Sequence, residues 1–339
     1  MSGNPFIHSL RSEPSGDQAS LLSPSQPPES TPDAGQELWL ACTELLAQTL
    51  SEQQFSTWIK PLVAHVAEDF SKVSLLVANR FKLDWIRAQY AGKIAAAGGG
   101  ADIIVSDWLW VARERSLGSK LTMRAYSSAV GAVMVADASP IRRIADLAGR
   151  KIGVAGGPLD KSWLLLQAQA LREGLDLKRQ AQPVYGAPPL IAEKLAQGEI
   201  DAALEFWNFC ADLESRGMRR AIEIRDVERA LGATGAPVVT GYVFDDDWGA
   251  RNRPLLQRFF AMTDEAKRLI ATSDEAWAIV APMTGAKDAS ALALYRQRYA
   301  QGIPSGAAPG QELDARTLFT VLANIGGEQL VGPARDLPA

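Results

Sequence analysis

Between Ala95 and Gly100 the chain runs Ala-Ala-Ala-Gly-Gly-Gly, and the residues on the two sides of that run follow different hydrophobic spacings. Ahead of it, short helical stripes surround a pair of β-rich runs. Behind it, strand and helix signals alternate for more than two hundred residues. One packed core does not account for both textures, so the chain is read as two pieces joined at a glycine-rich junction, 96–100.

In the front piece, 36–95, Leu38, Trp39, Cys42, Leu45, Leu46 and Leu50 recur at helical spacing, and Phe55, Trp58 and Ile59 mark a second short helix that Pro61 stops. Val63 to Val66 and Val73 to Val77 read as a hairpin. Asn79 then precedes an amphipathic helix carrying Phe81, Trp85, Ile86 and Tyr90. The pattern is a small α+β module whose large aromatics, Trp39, Trp58, Phe81 and Trp85, are expected in its core. Acidic and basic residues balance in it, Glu37, Glu44, Glu52, Glu68, Asp69 and Asp84 against Lys60, Lys72, Arg80, Lys82, Arg87 and Lys93. Direct nucleic-acid binding needs a one-sided basic field, and none is present.

Behind the junction the alternation predicts an α/β fold with largely parallel strands. Ile103 to Val105, Leu121 to Tyr126, Val130 to Ala136, Lys151 to Ala155, Pro183 to Tyr185, Ile200 to Leu204, Ala221 to Ile224 and Val238 to Phe244 read as strands. Helices are expected at Trp108 to Leu117, Ile141 to Leu147, Ser162 to Glu173, Pro189 to Ala196 and Phe206 to Gly217. Further helices are expected at Trp248 to Thr272, Glu275 to Val280, Ala289 to Tyr299 and Asp314 to Ile325.

Composition narrows the function classes. With 339 residues, 47% of them hydrophobic, and a net charge of -4, the chain has material for more than one core and little bulk attraction for nucleic acid. Its two cysteines, Cys42 and Cys210, and two histidines, His8 and His65, have no metal-ligand spacing, so no metal and no cofactor are expected. Neither a phosphate loop nor a nucleophile elbow is present, which leaves no catalytic residue to nominate and no enzyme activity to expect. Residues 1–34 are rich in Ser, Pro and Gly and read as a disordered arm. The first residues lack the apolar run of a secretory signal and no stretch approaches a membrane span, so the expected location is the cytoplasm, with no membrane insertion.

Two sets of motifs carry family resemblances. Leu38-Trp39, the Phe55-Ser56-Thr57-Trp58-Ile59-Lys60-Pro61-Leu62 stretch and Asn79-Arg80-Phe81-Lys82-Leu83-Asp84-Trp85 make the front piece closely similar to the N-terminal domain of the bacterial replication initiator DnaA. Ala78 stands where that family usually has proline. The resemblance implies a KH-like module that makes protein contacts, by self-association or with the replicative helicase, and no ATP chemistry.

The rear piece resembles the substrate-binding proteins of ABC transporters, in the branch with nitrate, sulfonate, taurine and thiamine-precursor binders. The motifs are Gly100-Ala101-Asp102-Ile103-Ile104-Val105-Ser106-Asp107, then Ser139-Pro140-Ile141 with Ile144-Ala145-Asp146-Leu147-Ala148-Gly149-Arg150-Lys151-Ile152-Gly153-Val154, and Leu195-Ala196-Gln197-Gly198-Glu199-Ile200-Asp201-Ala202-Ala203. The resemblance implies two α/β lobes around a cleft, lobe 1 at 101–138 and 239–335 and lobe 2 at 139–238 within a domain spanning 101–339. It also implies a small anionic or polar ligand, an ABC permease as partner, and a periplasmic setting. Family members open with a signal and two strand–helix pairs ahead of the equivalent of Ala101-Asp102. The front module stands in that place, so lobe 1 is expected to be incomplete, with an exposed edge.

Candidate ligand-binding residues lie where strands end. Gly156-Gly157-Pro158-Leu159-Asp160-Lys161-Ser162 joins a strand to a helix. Its glycines open backbone N–H groups to an anion at the positive helix end, with Lys161 adding charge and Ser162 a hydroxyl. The same loop is also accounted for as a tight turn in which Asp160 or Ser162 caps the helix. Ser106, Asp107 and Trp108 follow the first strand of this piece, with Trp108 and Trp110 serving equally well as lobe core. Glu205 and Trp207 follow the Ile200 to Leu204 strand, the carboxylate placed to orient a ligand hydroxyl or amine and the indole to pack on it. Helix-dipole complementarity alone also accounts for Glu205. Ser127, Ser128 and Tyr242 lie beside the strands expected to cross between lobes, and local hydrogen bonding is the alternative for each.

Three readings of function follow: solute binding by the rear piece, replication-associated protein contacts by the front piece, or a gene fusion in which neither is intact.

Overall fold

The computed structural model describes residues 9–12, 34–50, 52–66, 73–77, 101–305 and 308–337. The helix expected after Asn79 and the junction at 96–100 lie outside the described residues. The chain divides into two compact units, Met1–Ile104 and Val105–Ala339.

In the first unit, helix Ala34–Thr49 buries Cys42 and Leu46, four residues apart on one face, and Leu50 closes the turn that follows. Leu45, from the same apolar set, faces outward with Leu40. Helix Glu52–Gln54 runs into a single wide π turn, Phe55–Ile59, closed by the Lys60 N–H donating to Phe55 O at 2.9 Å. Ile59 is fully buried, while Trp58 is only partly so. Pro61 has no N–H to continue the helix, and strand β2 (Val63–Val66) follows. It pairs antiparallel with β3 (Val73–Val77), Val63 opposite Leu76 and Val66 opposite Val73, as the hairpin pattern anticipates. Residues 9–12, expected within a disordered arm, instead form strand β1 (Ser9–Ser12), which adds parallel to the free edge of β3 and gives the order β1-β3-β2. An unpaired strand edge is a template for exactly such an addition, and sequence patterning within four residues does not reveal it.

The second unit contains two sheets. The larger has the order β10-β6-β9-β7-β8, built from β6 (Ala132–Val135), β7 (Lys151–Ala155), β8 (Gln182–Gly186), β9 (Ala202–Glu205) and β10 (Arg219–Glu223). Strands β7, β8 and β9 are parallel, whereas β6 runs antiparallel to both β9 and β10. Side chains alternate across it. Val133, Val135, Ile152, Val154 and Leu204 join a core with Trp163 and Leu166, and Ala132, Met134 and Ala203 join a second with Ile191, Leu195 and Leu213. Both faces are therefore covered, which explains the continuous apolar runs of these strands. Gly153 permits the close approach of one covering layer: a Cβ there would lie 2.6 Å from Ile200 Cδ1 and 2.7 Å from Ile191 Cγ2.

The smaller sheet has the order β4-β11-β5, from β4 (Ile104–Asp107), β5 (Leu121–Ser127) and β11 (Thr240–Asp245). The chain changes sheets between Ser127 and Ala132 and returns by Thr240. The first crossing lies ahead of the 138 boundary expected from sequence, because β6 satisfies its backbone on β9 and β10. Asp314 ties down the return crossing, accepting from Thr234 N–H (2.7 Å), Thr234 Oγ1 (3.0 Å) and Gly235 N–H (2.9 Å).

The single helix expected over Trp248 to Thr272 is two, Asp246–Arg251 and Arg253–Thr272. Pro254 cannot continue the first helix but suits the first turn of the second. A helix at Ile224–Ala230, unforeseen in the sequence, follows β10 directly. Among the described residues no helix is long and apolar enough to cross a membrane.

Candidate functional site

Three strands, β4, β7 and β9, each end in a turn that starts a helix, and the turns carry the charged residues of the site. After β4, Asp107 caps helix Trp108–Ser116, its carboxylate accepting from Trp110 N–H at 2.8 Å. After β7, Asp160 caps helix Lys161–Arg172 by accepting from Trp163 N–H at 3.0 Å. After β9, whose last residue is Glu205, helix Trp207–Ser215 begins with no side-chain cap.

These turns meet. Lys161 Nζ lies 3.4 Å from Asp107 Oδ2. Burial pushes the Asp160 carboxyl up to about 6, against the pull of Lys161 and of the Trp163 and Ser162 N–H groups and with a further push from Asp107. Glu205 is 1% exposed and neither carboxylate oxygen makes a hydrogen bond. Burial drives its carboxyl well above the ordinary range. The Phe206 N–H offsets this in part, and the field of Asp160 adds to it. On β4, the buried Ser106 hydroxyl likewise has no partner. Asp107, Asp160, Lys161 and Glu205 thus form one electrostatic cluster, in which one cation faces three carboxylates.

The glycine loop is closed on itself. Gly156 adopts φ +104 and donates its N–H to Gly186 O at 2.9 Å, while Asp160 N–H donates to Gly157 O at 3.0 Å. A Cβ at Gly157 would meet nothing within 4 Å, so the loop surface is open there. Two of the loop's N–H groups, those of Gly156 and Asp160, are therefore engaged, and the Asp160 carboxylate already occupies the positive end of the helix dipole. Ser162 is half-buried in the first turn of that helix.

Trp207, half-buried, meets Tyr295 edge to face at 6.2 Å, and Trp108 packs against the larger core. Ser127, Ser128 and Tyr242 lie apart from the cluster. Ser127 Oγ accepts from Ala129 N–H at 3.1 Å. Ser128 Oγ donates to Ala236 O at 3.1 Å, its N–H donates to Gly302 O at 2.8 Å, and Arg225 donates to its carbonyl. These contacts staple the two crossings between sheets. Tyr242 meets Tyr126 (5.2 Å) and Phe259 (5.2 Å) edge to face and Phe260 (5.8 Å) at a tilt, the two phenylalanines belonging to helix Arg253–Thr272. Sequence reasoning passed over Tyr185, a partly exposed phenol at the end of β8 whose titration is raised by burial, and Tyr295, the ring against Trp207. Tyr185 precedes Gly186-Ala187-Pro188, the same strand-end signal that marked the other turns. Cys210 is a buried thiol pushed up to about 12 by burial. No cluster of potential metal ligands occurs among the described residues.

Residues 36–98 match the DnaA N-terminal domain. They are 54% identical over 63 residues to the chromosomal replication initiator protein DnaA of Leptothrix cholodnii and 51% identical over 61 residues to that of Burkholderia multivorans. The matches cover 18% and 17% of this chain and only 12% of either relative. Among solved structures, the whole fold is similar to the periplasmic aliphatic sulphonate binding protein SsuA of Escherichia coli, with a TM-score of 0.57 and 18% identity over 89% of each chain. The alkanesulfonate-binding protein SsuA of Xanthomonas axonopodis pv. citri, bound to MOPS, gives 0.52 and 16% over 88% of this chain and 92% of that one. At these identities the likeness concerns the fold, which is α/β and of the periplasmic-binding-protein type. Residues 92–275, more than half of the chain, match the NMT1/THI5 like domain, and the chain belongs to that family.

Proposed function

We propose that the second unit binds a small polar solute, as the substrate-binding component of an ABC-type uptake system does, and performs no chemistry on it. The observation that carries this reading is Glu205: a buried carboxylate without hydrogen bonds at the end of β9, within the field of Asp160. A carboxylate kept dry and unpaired destabilises the unliganded fold, and a ligand that supplies its missing partner recovers that free energy on binding. Of the ligand chemistries expected from sequence, a polar solute fits this environment better than an anion. Asp107, Asp160, Lys161, Glu205 and Trp207 form its proposed contacts, with Ser106, Trp108, Gly156, Gly157 and Ser162 around them. Ser127, Ser128 and Tyr242 hold the frame. The proposed recipient of the solute is an ABC permease.

A second reading concerns the first unit. Leu40, Leu45 and Val63 are large aliphatic side chains about half exposed on it, and such a surface fits protein contact, by self-association or with a replicative helicase. Among the described residues of this unit nothing resembles an ATP site.

Thermal denaturation of the full chain against a panel of amines, alcohols, carboxylates and sulfonates tests the solute reading, because a ligand specific to the folded state raises the melting temperature. A saturable rise that is lost on Trp207→Ala supports it. A flat response to every class contradicts it.

A further inference from the structure

We infer that the end of the ligand anchored at this site is a cationic nitrogen group, an ammonium or an amidinium, held between Glu205 and Asp160. The inference rests on the solute-binding reading and specifies the chemistry of its site.

Asp160 is the charge that acts on Glu205, and Lys161 and Asp107 act in turn on Asp160. Asp107 projects from the end of β4, Asp160 and Lys161 from the start of helix Lys161–Arg172, and Glu205 itself from the end of β9. Lys161 is already engaged, its Nζ 3.4 Å from Asp107. Arg220, whose field reaches Cys210 behind the site, is held by Glu223 at 2.6 Å and Glu214 at 3.4 Å. No cation among the described residues therefore pairs with Glu205. A carboxylate offers about four acceptor positions and no donor, so the complement it lacks is a set of N–H or O–H donors.

An anion is offered less: of the three helices that start at the cluster, two are capped by their own aspartates, and the third, Trp207–Ser215, has no side-chain cap but follows the Glu205 carboxylate directly. Helices Trp108–Ser116 and Lys161–Arg172 both direct their N-termini at the cluster, and each is already capped by its own aspartate, Asp107 or Asp160. Their free N–H groups and positive dipole ends, which would draw a sulfonate or carboxylate, are thus neutralised from within. An incoming anion would add to the repulsion between Asp160 and Glu205. An ammonium relieves it, and a planar amidinium offers two parallel donors to one carboxylate.

The test uses the full chain at pH 8 with probes of one shape and different charge: benzylamine and benzamidine, benzyl alcohol, and benzenesulfonate, each titrated by calorimetry into wild type and Glu205→Gln. The expected result is that a cationic probe binds at least tenfold more tightly than the alcohol or the sulfonate, and that Glu205→Gln removes that preference while retaining a cooperative melt. Selective binding of the sulfonate or the alcohol, with the amines weak, overturns the inference and leaves solute binding standing. A cationic preference that survives Glu205→Gln unchanged overturns the assigned residue and with it the inference. Failure of every probe to bind overturns both the inference and the reading beneath it.

Discussion

Lys161 Nζ stands 3.4 Å from Asp107 Oδ2, and the pair joins the end of β4 in the three-stranded sheet to the helix that follows β7 in the five-stranded sheet. Both side chains keep about a quarter of their surface in water, 29% for Lys161 and 21% for Asp107, so the contact links the two sheets more than it stabilises the fold. Partly exposed pairs contribute ~1 kcal/mol or less. Lys161→Met is expected to leave the melting temperature within a few degrees of wild type. By loosening the link between the sheets it should raise the ligand dissociation rate several-fold, as stopped-flow kinetics would show. An unchanged rate would mean that the pair does not hold the sheets together.

Glu205 carries the opposite expectation. Its carboxylate is buried with no hydrogen bond, and an unsatisfied buried polar group costs about 1–3 kcal/mol, more when charged. Glu205→Gln, of nearly the same shape, should leave the ligand-free protein no less stable than wild type while weakening ligand binding. Chemical denaturation of wild type and variant checks the first part. A clear loss of stability would show that Glu205 has a structural partner.

The same carboxylates set a pH dependence. Asp160 is pushed up to about 6 and Glu205 well above its ordinary value, both chiefly by burial. In helix Ile224–Ala230, Glu228 is pushed up to about 7 by burial despite its 2.7 Å ion pair with Arg225. Each group holds its proton more tightly folded than unfolded, so the unfolded chain loses protons first as the pH rises. Stability is then greatest below about pH 4, as far as these groups are concerned, and falls until each folded-state value is passed. With Asp160 at about 6 against an ordinary 3.8, its share of that fall is on the order of 3 kcal/mol. Urea midpoints should decrease from pH 4.5 to pH 7.5, and affinity for a cationic probe should increase over the same interval as Asp160 ionises. A urea midpoint that rises through this interval would contradict the assignment.

Asp314 is 3% exposed and accepts three hydrogen bonds from Thr234 and Gly235 at the return crossing. Asp314→Ala leaves those donors unpaired and should cost about 2–4 kcal/mol. Asp314→Asn, retaining one acceptor, should recover part of the loss. Equal melting temperatures for wild type and both variants would remove the crossing from the list of stabilising features.

Much of this architecture was legible in the sequence, for reasons that also explain the exceptions. The strands around Lys151–Ala155 and Ala202–Glu205 are apolar runs closed by glycine or by polar turns, and their neighbours in the five-stranded sheet cover them on both faces. Short apolar segments are ambiguous where strand passes straight into helix. Ala221 to Ile224 read as a strand, but Ile224 starts the helix that follows, with Ile224 and Val227 buried three residues apart. The sheet to which β6 belongs depended on a hydrogen-bonding partner far along the chain, which local pattern does not encode.

The site divides in the same way. Strand ends marked the turns carrying Asp107, Asp160 and Glu205, but spacing does not tell whether a helix N-terminus is open to an anion or closed by its own aspartate. Tyr242 illustrates the period-2 ambiguity: it shares a sheet face with Phe244 against Phe260, and a shift of one residue would have directed it elsewhere.

A crystal structure of the full chain grown with benzylamine at pH 8 tests the central claim most directly. The amine nitrogen is expected within hydrogen-bonding reach, about 3 Å, of both Glu205 and Asp160, with the ring beside Trp207. Benzylamine bound elsewhere, with Glu205 still unpartnered, would contradict it.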